Sequence, residues 1–199
     1  MTRIKMCGLT RDTDIDYVNR IRPEFVGFVF APASRRFVTH RTAAALRQEL
    51  NEGIISVGVF VNAPPDYAAD LVQYGIIDFI QLHGTENNGY IADLRGLTTA
   101  PIIKAFEINS AEDVKAAEYS NADIVLLDSG KGSGEMFDHS LISGITRPYI
   151  LAGGLTPENV GGIVSDLAPF AVDASSSLET DGVKDFQKMK AFADAVRSL

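Results

Sequence analysis

The chain has 199 residues, 46% of them hydrophobic and 22% charged, with a formal net charge of −8. That size suits one domain with a real core, and the acidic balance argues against a general affinity for nucleic acid or an anionic membrane surface. It does not exclude an anionic small molecule, because a few local donors can bind one phosphate. The lone cysteine leaves no internal disulfide. No N-terminal stretch has the roughly 7–15-residue apolar core of a signal peptide, and no run approaches the roughly 18 apolar residues of a membrane span. The expectation is a soluble, cytoplasmic protein.

Apolar runs recur along the chain, starting at Arg3, Glu24, Ile54, Ile76, Pro101, Ala122, Pro148 and Pro169. Most are rich in Val, Ile and Phe without clean alternation, as expected of strands buried on both faces of a parallel sheet. Segments with helical character lie between them. Asp12 to Arg22 follows Thr10 and Asp12, either of which could cap it. Thr39 to Glu49 is rich in alanine, and Pro65 to Tyr74 opens with a proline suited to a first turn. Glu86 to Arg95 and Ala111 to Tyr119 are amphipathic, and Ser110 with Asp113 forms an acidic variant of a capping box. Asp138 to Ile145 is too short for more than a stunted helix. Thr156-Pro157-Glu158 opens another helix, and Val183 to Val196 is the last.

Strand then helix, eight times, is the pattern of a (β/α)8 TIM barrel, an α/β fold, as one compact domain over 1–199. The rival is an open doubly wound sheet. Eight well-spaced runs, and no GxGxxG after the first, favour the barrel. In such a barrel the C-terminal ends of the strands converge on one mouth. Cys7, Gln81, His83, Asp128, Gly153, Gly154, Ser175 and Ser176 all fall at predicted strand ends, and Arg35 and Arg36 lie in the loop after the second strand.

Two turns read as an anion site. Gly153-Gly154 follows the seventh run and Ala174-Ser175-Ser176-Ser177 ends the eighth. Glycines let the backbone approach an anion closely, and loops seven and eight are the recurrent phosphate site of this fold. Cys7 stands before Gly8 where a strand gives way to a loop. A thiol there needs local help to act as a base at neutral pH. Asp128 ends the apolar run Ile124-Val125-Leu126-Leu127, a setting that suits a general acid. After it, Gly130-Lys131-Gly132-Ser133-Gly134 reads as a loop able to fold over a ligand. It lacks the Gly-Lys-Ser/Thr ending of a P-loop. Of the adjacent Arg35 and Arg36, either guanidinium could grip a carboxylate. Gln81 and His83 alternate with Leu82 and so share one strand face. No cluster of His, Asp and Glu suggests a metal.

Taken together, KMCGLT at 5–10, FVFAPASRRFV at 28–38, QLHG at 81–84, LLDSGKGSGEMFD at 126–138, LAGGLTPENV at 151–160 and DASSSLE at 173–179 resemble the phosphoribosylanthranilate isomerase family, in the right order and over nearly the whole chain. The resemblance implies a (β/α)8 barrel that carries out an Amadori rearrangement in tryptophan biosynthesis, without cofactor or metal, as a monomer or homodimer acting on a small phosphorylated substrate. By motif, Asp128 is then the general acid and Cys7 the general base. Arg36 holds a carboxylate, Gln81 and His83 line the mouth, and Gly153, Gly154, Ala174, Ser175 and Ser176 take the phosphate. The family usually has glycine where Ser177 stands, often tryptophan at His139 and commonly proline at Arg35. Cys7 in place of an aspartate argues against a second activity on the related histidine-pathway aminoaldose. Other phosphosugar barrels fit less well. A metal-dependent epimerase wants paired His and Asp ligands, and indole-glycerol-phosphate synthase wants lysines at several strand ends. A non-catalytic phosphate binder would have no need of Cys7 with Asp128.

Overall fold

The computed structural model describes residues 1–128 and 139–198. Eight parallel strands close into a barrel in sequence order: β1 (Arg3–Cys7), β2 (Phe25–Val29), β3 (Ile55–Phe60), β4 (Phe79–Leu82), β5 (Ile102–Glu107), β6 (Ile124–Asp128), β7 (Tyr149–Leu151) and β8 (Ala171–Ala174). Pairing of β8 with β1, Asp173 opposite Lys5 and Ala174 opposite Met6, completes the ring. Each strand coincides with one of the eight apolar runs.

Alternation along the strands divides their side chains between two cores. Phe25, Val57, Ile103, Leu126, Ile150 and Ala171 belong to a cluster that fills the barrel interior. Met6, Val26, Phe28, Ile80, Val125 and Val172 join a larger outer cluster with the apolar faces of the helices. Residues of both parities are therefore buried, which is why the runs lack clean alternation.

The helices are α1 (Asp12–Ile21), α2 (His40–Gln48), α3 (Pro65–Gln73), α4 (Asn88–Arg95), α5 (Ala111–Glu118), α6 (Val160–Leu167) and α7 (Phe186–Arg197). Their starts follow local chemistry. Thr39 Oγ1 accepts from the Thr42 amide, Pro65 occupies the first turn of α3, and the Ser110–Asp113 box opens α5, with Asp113 accepting from the Asn109 amide and the Ser110 hydroxyl. The sixth crossover is indeed stunted, a 3-10 helix over His139–Gly144. The glycine-rich stretch at Gly130–Gly134, and Asp138, lie outside the described residues.

Several boundaries differ from the expectations. Neither Thr10 nor Asp12 caps α1. Arg11 takes the cap position, and Asp14 reaches back to accept from the Thr10 and Arg11 amides. Helix α4 starts at Asn88, because the Glu86 carboxylate is engaged elsewhere, accepting from the Asn62 and Gly84 amides and from Lys104. Helix α6 starts at Val160, after Asn159 Oδ1 closes a turn on the Thr156 amide. Val183 and Lys184 are not helical. They form β10 (Val183–Lys184), paired with β9 (Glu179–Thr180) in a hairpin, and α7 begins only after Asp185 caps it. Asp181 and Gly182 both have positive φ, the turn chemistry of a two-residue hairpin.

A repeated clasp holds the lower rim. Glu24, just before β2, accepts from the amide of Ile4 on β1. Asp78, just before β4, accepts from Ser56 on β3, and Asp123, just before β6, from Ile102 on β5. Each carboxylate satisfies a buried strand amide that the staggered ladder leaves over.

Candidate active site

The C-terminal ends of the strands surround a cavity of about 1010 Å³. Cys7, Asp128, Arg36, Gln81, His83, Gly153, Gly154, Ala174, Ser175 and Ser176 all line it. Strand order brings together residues as far apart in sequence as Cys7 and Ser176.

Cys7 ends β1 and is buried. Its thiol fits because Gly27 stands opposite on β2; a Cβ there would lie 2.5 Å from Sγ. The next residue, Gly8, has φ +79°, and a Cβ on it would lie 2.2 Å from Arg36 Cδ. Glycine therefore meets two needs at position 8, a left-handed turn and the passage of an arginine.

Burial pushes the Cys7 thiol pKa up, and the charges of Lys5 and Lys184 pull against that. Lys5 is completely buried, two residues earlier on β1, with Nζ 3.0 Å from Asp173 Oδ2. Desolvation opposes its charge, but Asp173 and the thiol hold its pKa above the ordinary lysine value. Asp173 Oδ1 and Gln81 Oε1 are buried acceptors on the cavity wall, and neither takes a donor from the described residues.

The Gln81 amide nitrogen lies 2.9 Å from His83 Nδ1. An amide nitrogen only donates, so Nδ1 accepts and Nε2 carries the proton. That Nε2 sits 3.7 Å from Asp128 Oδ2. Burial holds the His83 pKa below its ordinary value although Asp128 pulls the other way.

Arg36 has a partner the sequence reading missed. Its Nε donates to Glu179 Oε1 at 2.6 Å and its Nη2 to Oε2 at 3.0 Å. Arg35 Nη2 and Lys184 Nζ reach the same carboxylate at 2.7 and 2.9 Å. Burial works against the Glu179 charge, but hydrogen bonds from Arg36 and Lys184 hold its pKa below the usual range. Lys184 also donates to the Ser175 carbonyl, and the Ser175 hydroxyl to the Cys7 carbonyl. On this side of the mouth Lys5, Lys184, Arg35 and Arg36 face Asp173 and Glu179, a surplus of cation suited to an anionic ligand. Asp181-Gly182 was the available signal for the hairpin that brings Glu179 and Lys184 here.

The two expected anion turns lie side by side on the rim. Gly153 and Gly154 have φ of +83° and +67°, and Ser175 leads into a 3-10 turn at Ser176–Leu178. Both are therefore tight turns that bring backbone to the cavity wall. Ser177 lines the cavity too. Among the described residues no group of three His, Cys, Asp or Glu side chains is placed to hold a metal.

Comparison with known proteins gives a consistent answer. The family model described as N-(5'phosphoribosyl)anthranilate (PRA) isomerase matches residues 4–195. An N-(5'-phosphoribosyl)anthranilate isomerase of Endomicrobium trichonymphae is 39% identical over 204 residues, covering 100% of both chains. One of Acetivibrio thermocellus is 41% identical over 211 residues, covering 99% of this chain and 96% of its own. A crystal structure of phosphoribosyl anthranilate isomerase, solved in complex with reduced 1-(o-carboxyphenylamino)-1-deoxyribulose 5-phosphate, superposes with a TM-score of 0.89, at 34% identity and full coverage of both chains. The barrel, the motifs at its mouth and the full-length matches place this chain in the N-(5'-phosphoribosyl)anthranilate isomerase family.

Proposed function

We propose that Cys7 and Asp128 are the base and the acid of the rearrangement for which this family is named. The chain is an isomerase of tryptophan biosynthesis. It turns N-(5'-phosphoribosyl)anthranilate, an aminoaldose, into the aminoketose 1-(2-carboxyphenylamino)-1-deoxyribulose 5-phosphate. The observation that carries the assignment is the meeting of Cys7, from the end of β1, and Asp128, from the end of β6, on the wall of one cavity.

Asp128 gives a proton to the ribose ring oxygen, and the C1–O bond opens to a Schiff base. The Cys7 thiolate then takes the proton from C2, the electron pair moves into the C1–C2 bond, and an enolamine forms. Tautomerisation to the ketone takes the hydroxyl proton from O2 as C1 gains one, so the sugar keeps its proton count. Cys7 gives up and Asp128 takes up one proton through solvent to restore their starting forms. Burial disfavours the Cys7 thiolate, and the charges of Lys5 and Lys184 offset part of that. Arg36 holds the substrate carboxylate, while Gly153, Gly154 and the Ala174–Ser176 turn hold the phosphate. Gln81 and His83 line the sugar's side of the mouth, and the bare acceptors Gln81 Oε1 and Asp173 Oδ1 suit sugar hydroxyls. No helix among the described residues is long and apolar enough to cross a membrane, and we place the reaction in the cytoplasm.

The test follows loss of substrate fluorescence with purified Cys7→Ala and Asp128→Ala. Each acid or base step is typically worth about 10²–10⁴ in rate. Turnover falls by that factor in both variants while inorganic phosphate still binds. Near-native turnover of either one overturns the assignment.

A further inference from the structure

Arginine is a long, flexible residue, and a carboxylate gains most from one whose fork is already aimed. Arg36 has two usable forks. The side-on fork, Nε with Nη2, is closed on Glu179. The end-on fork, Nη1 with Nη2, is the one left to a ligand, and Arg36 lines the cavity while Glu179 is not among the residues doing so.

Glu179 is itself immobilised. Its backbone pairs with Lys184 across the β9–β10 hairpin, its carbonyl accepts from Lys188 at 2.6 Å, and its carboxylate is 5% exposed. It does not cancel the Arg36 charge, because Arg35 and Lys184 share the same carboxylate. A single buried anion thus fixes the direction of a cation without neutralising the cluster around it.

We propose that Glu179 is the positioning residue for Arg36, gripping its Nε–Nη2 edge so that its outer edge meets the carboxylate on the substrate's aromatic ring. The inference rests on the reading of Arg36 as the carboxylate's partner. Glu179 touches no substrate; it acts through Arg36 and sets preference for a ring bearing a carboxylate over one without it.

The test measures, by calorimetry, the dissociation constants of two ligands. One is the aminoketose product reduced at its carbonyl; the other is the same compound lacking the ring carboxylate. Their ratio is insensitive to the fraction of protein correctly folded. In Arg36→Gln the preference for the carboxylated ligand drops at least about tenfold, the scale of a lost charge-assisted fork. Glu179→Gln drops it to a similar extent, and the double variant adds little further loss. If Arg36→Gln lowers the preference and Glu179→Gln leaves it intact, or weakens both ligands alike, Glu179 is only structural and the proposal fails alone. If Arg36→Gln leaves the preference intact, the reading of Arg36 fails first. Should Glu179→Gln not yield folded protein, Glu179→Asp withdraws the carboxylate by one methylene, and the same drop in preference decides the matter.

Discussion

Lys5 and Asp173 stand opposite each other in register on β1 and β8, and their side chains meet at 3.0 Å inside the barrel, two residues below Cys7. The pair places a buried cation under a buried thiol. Burial raises the thiol pKa and Lys5 lowers it, with burial the larger effect.

The sign of the pH dependence follows. Below its pKa the thiol is protonated and cannot take a proton, so the active fraction grows as pH rises. We expect kcat/KM to climb with pH through the neutral range and to be still climbing at the ordinary thiol pKa, because burial raises that of Cys7, approaching about tenfold per unit while the thiol is mostly protonated. In Lys5→Met that limb moves to higher pH, because the thiolate loses its cation. The same variant leaves Asp173 buried without its partner, at a cost of about 3–5 kcal/mol in urea unfolding. A pH profile identical to that of the native chain would remove Lys5 from the account.

Gly27 is set by the thiol facing it. A methyl at this position would sit 2.5 Å from Cys7 Sγ, closer than any non-bonded contact allows. Gly27→Ala therefore displaces the thiol we propose as the base. We expect kcat to fall at least about tenfold, since misplacement by an ångström can cost about a hundredfold. Affinity for inorganic phosphate, which we assign to the backbone of the Gly153–Gly154 and Ala174–Ser176 turns rather than to the thiol, stays near native. Steady-state kinetics beside phosphate titration separate the two effects.

The rim clasps are open to a similar measurement. Asp123 accepts from the Ile102 amide at 2.7 Å, and Ile102 is fully buried. Asp123→Ala strands that amide, and about 1–3 kcal/mol of stability is lost in chemical unfolding. Turnover of the remaining folded protein is unaffected, because the clasp lies at the end of the barrel away from the cavity.

What could be read in the sequence divides along physical lines. Strand cores declare themselves through Val, Ile and Phe density, so all eight strands were legible. Cys7, Asp128 and the Gly153-Gly154 turn were legible because each sits where a strand ends, and the fold alone then brings such ends together. Lys5 with Asp173 was not, because 168 residues separate them and their pairing exists only once the barrel closes. Glu179 was hidden differently. Its role needs the hairpin after it, and the residues of that hairpin also extend the amphipathic pattern of α7. The pattern accordingly extends the helix to Val183, three residues before α7 begins, although Asp181-Gly182 and the cap at Asp185 both mark the true boundary.

The clasps made by Glu24, Asp78 and Asp123 also group the strands in twos. Each joins a strand to the one before it, and none spans from β2 to β3 or from β4 to β5. A backbone break between Leu97 and Thr98 would therefore leave every such contact within one fragment, two in the first and one in the second. A break beside Pro23 would instead part Glu24 from Ile4. The same carboxylates also reach across the seams, Asp78 to Arg47 on α2 at 3.4 Å and Asp123 to Arg95 on α4 at 2.7 Å, so separately made halves meeting after the fourth strand–helix unit would keep their amide clasps and find each other through an ion pair.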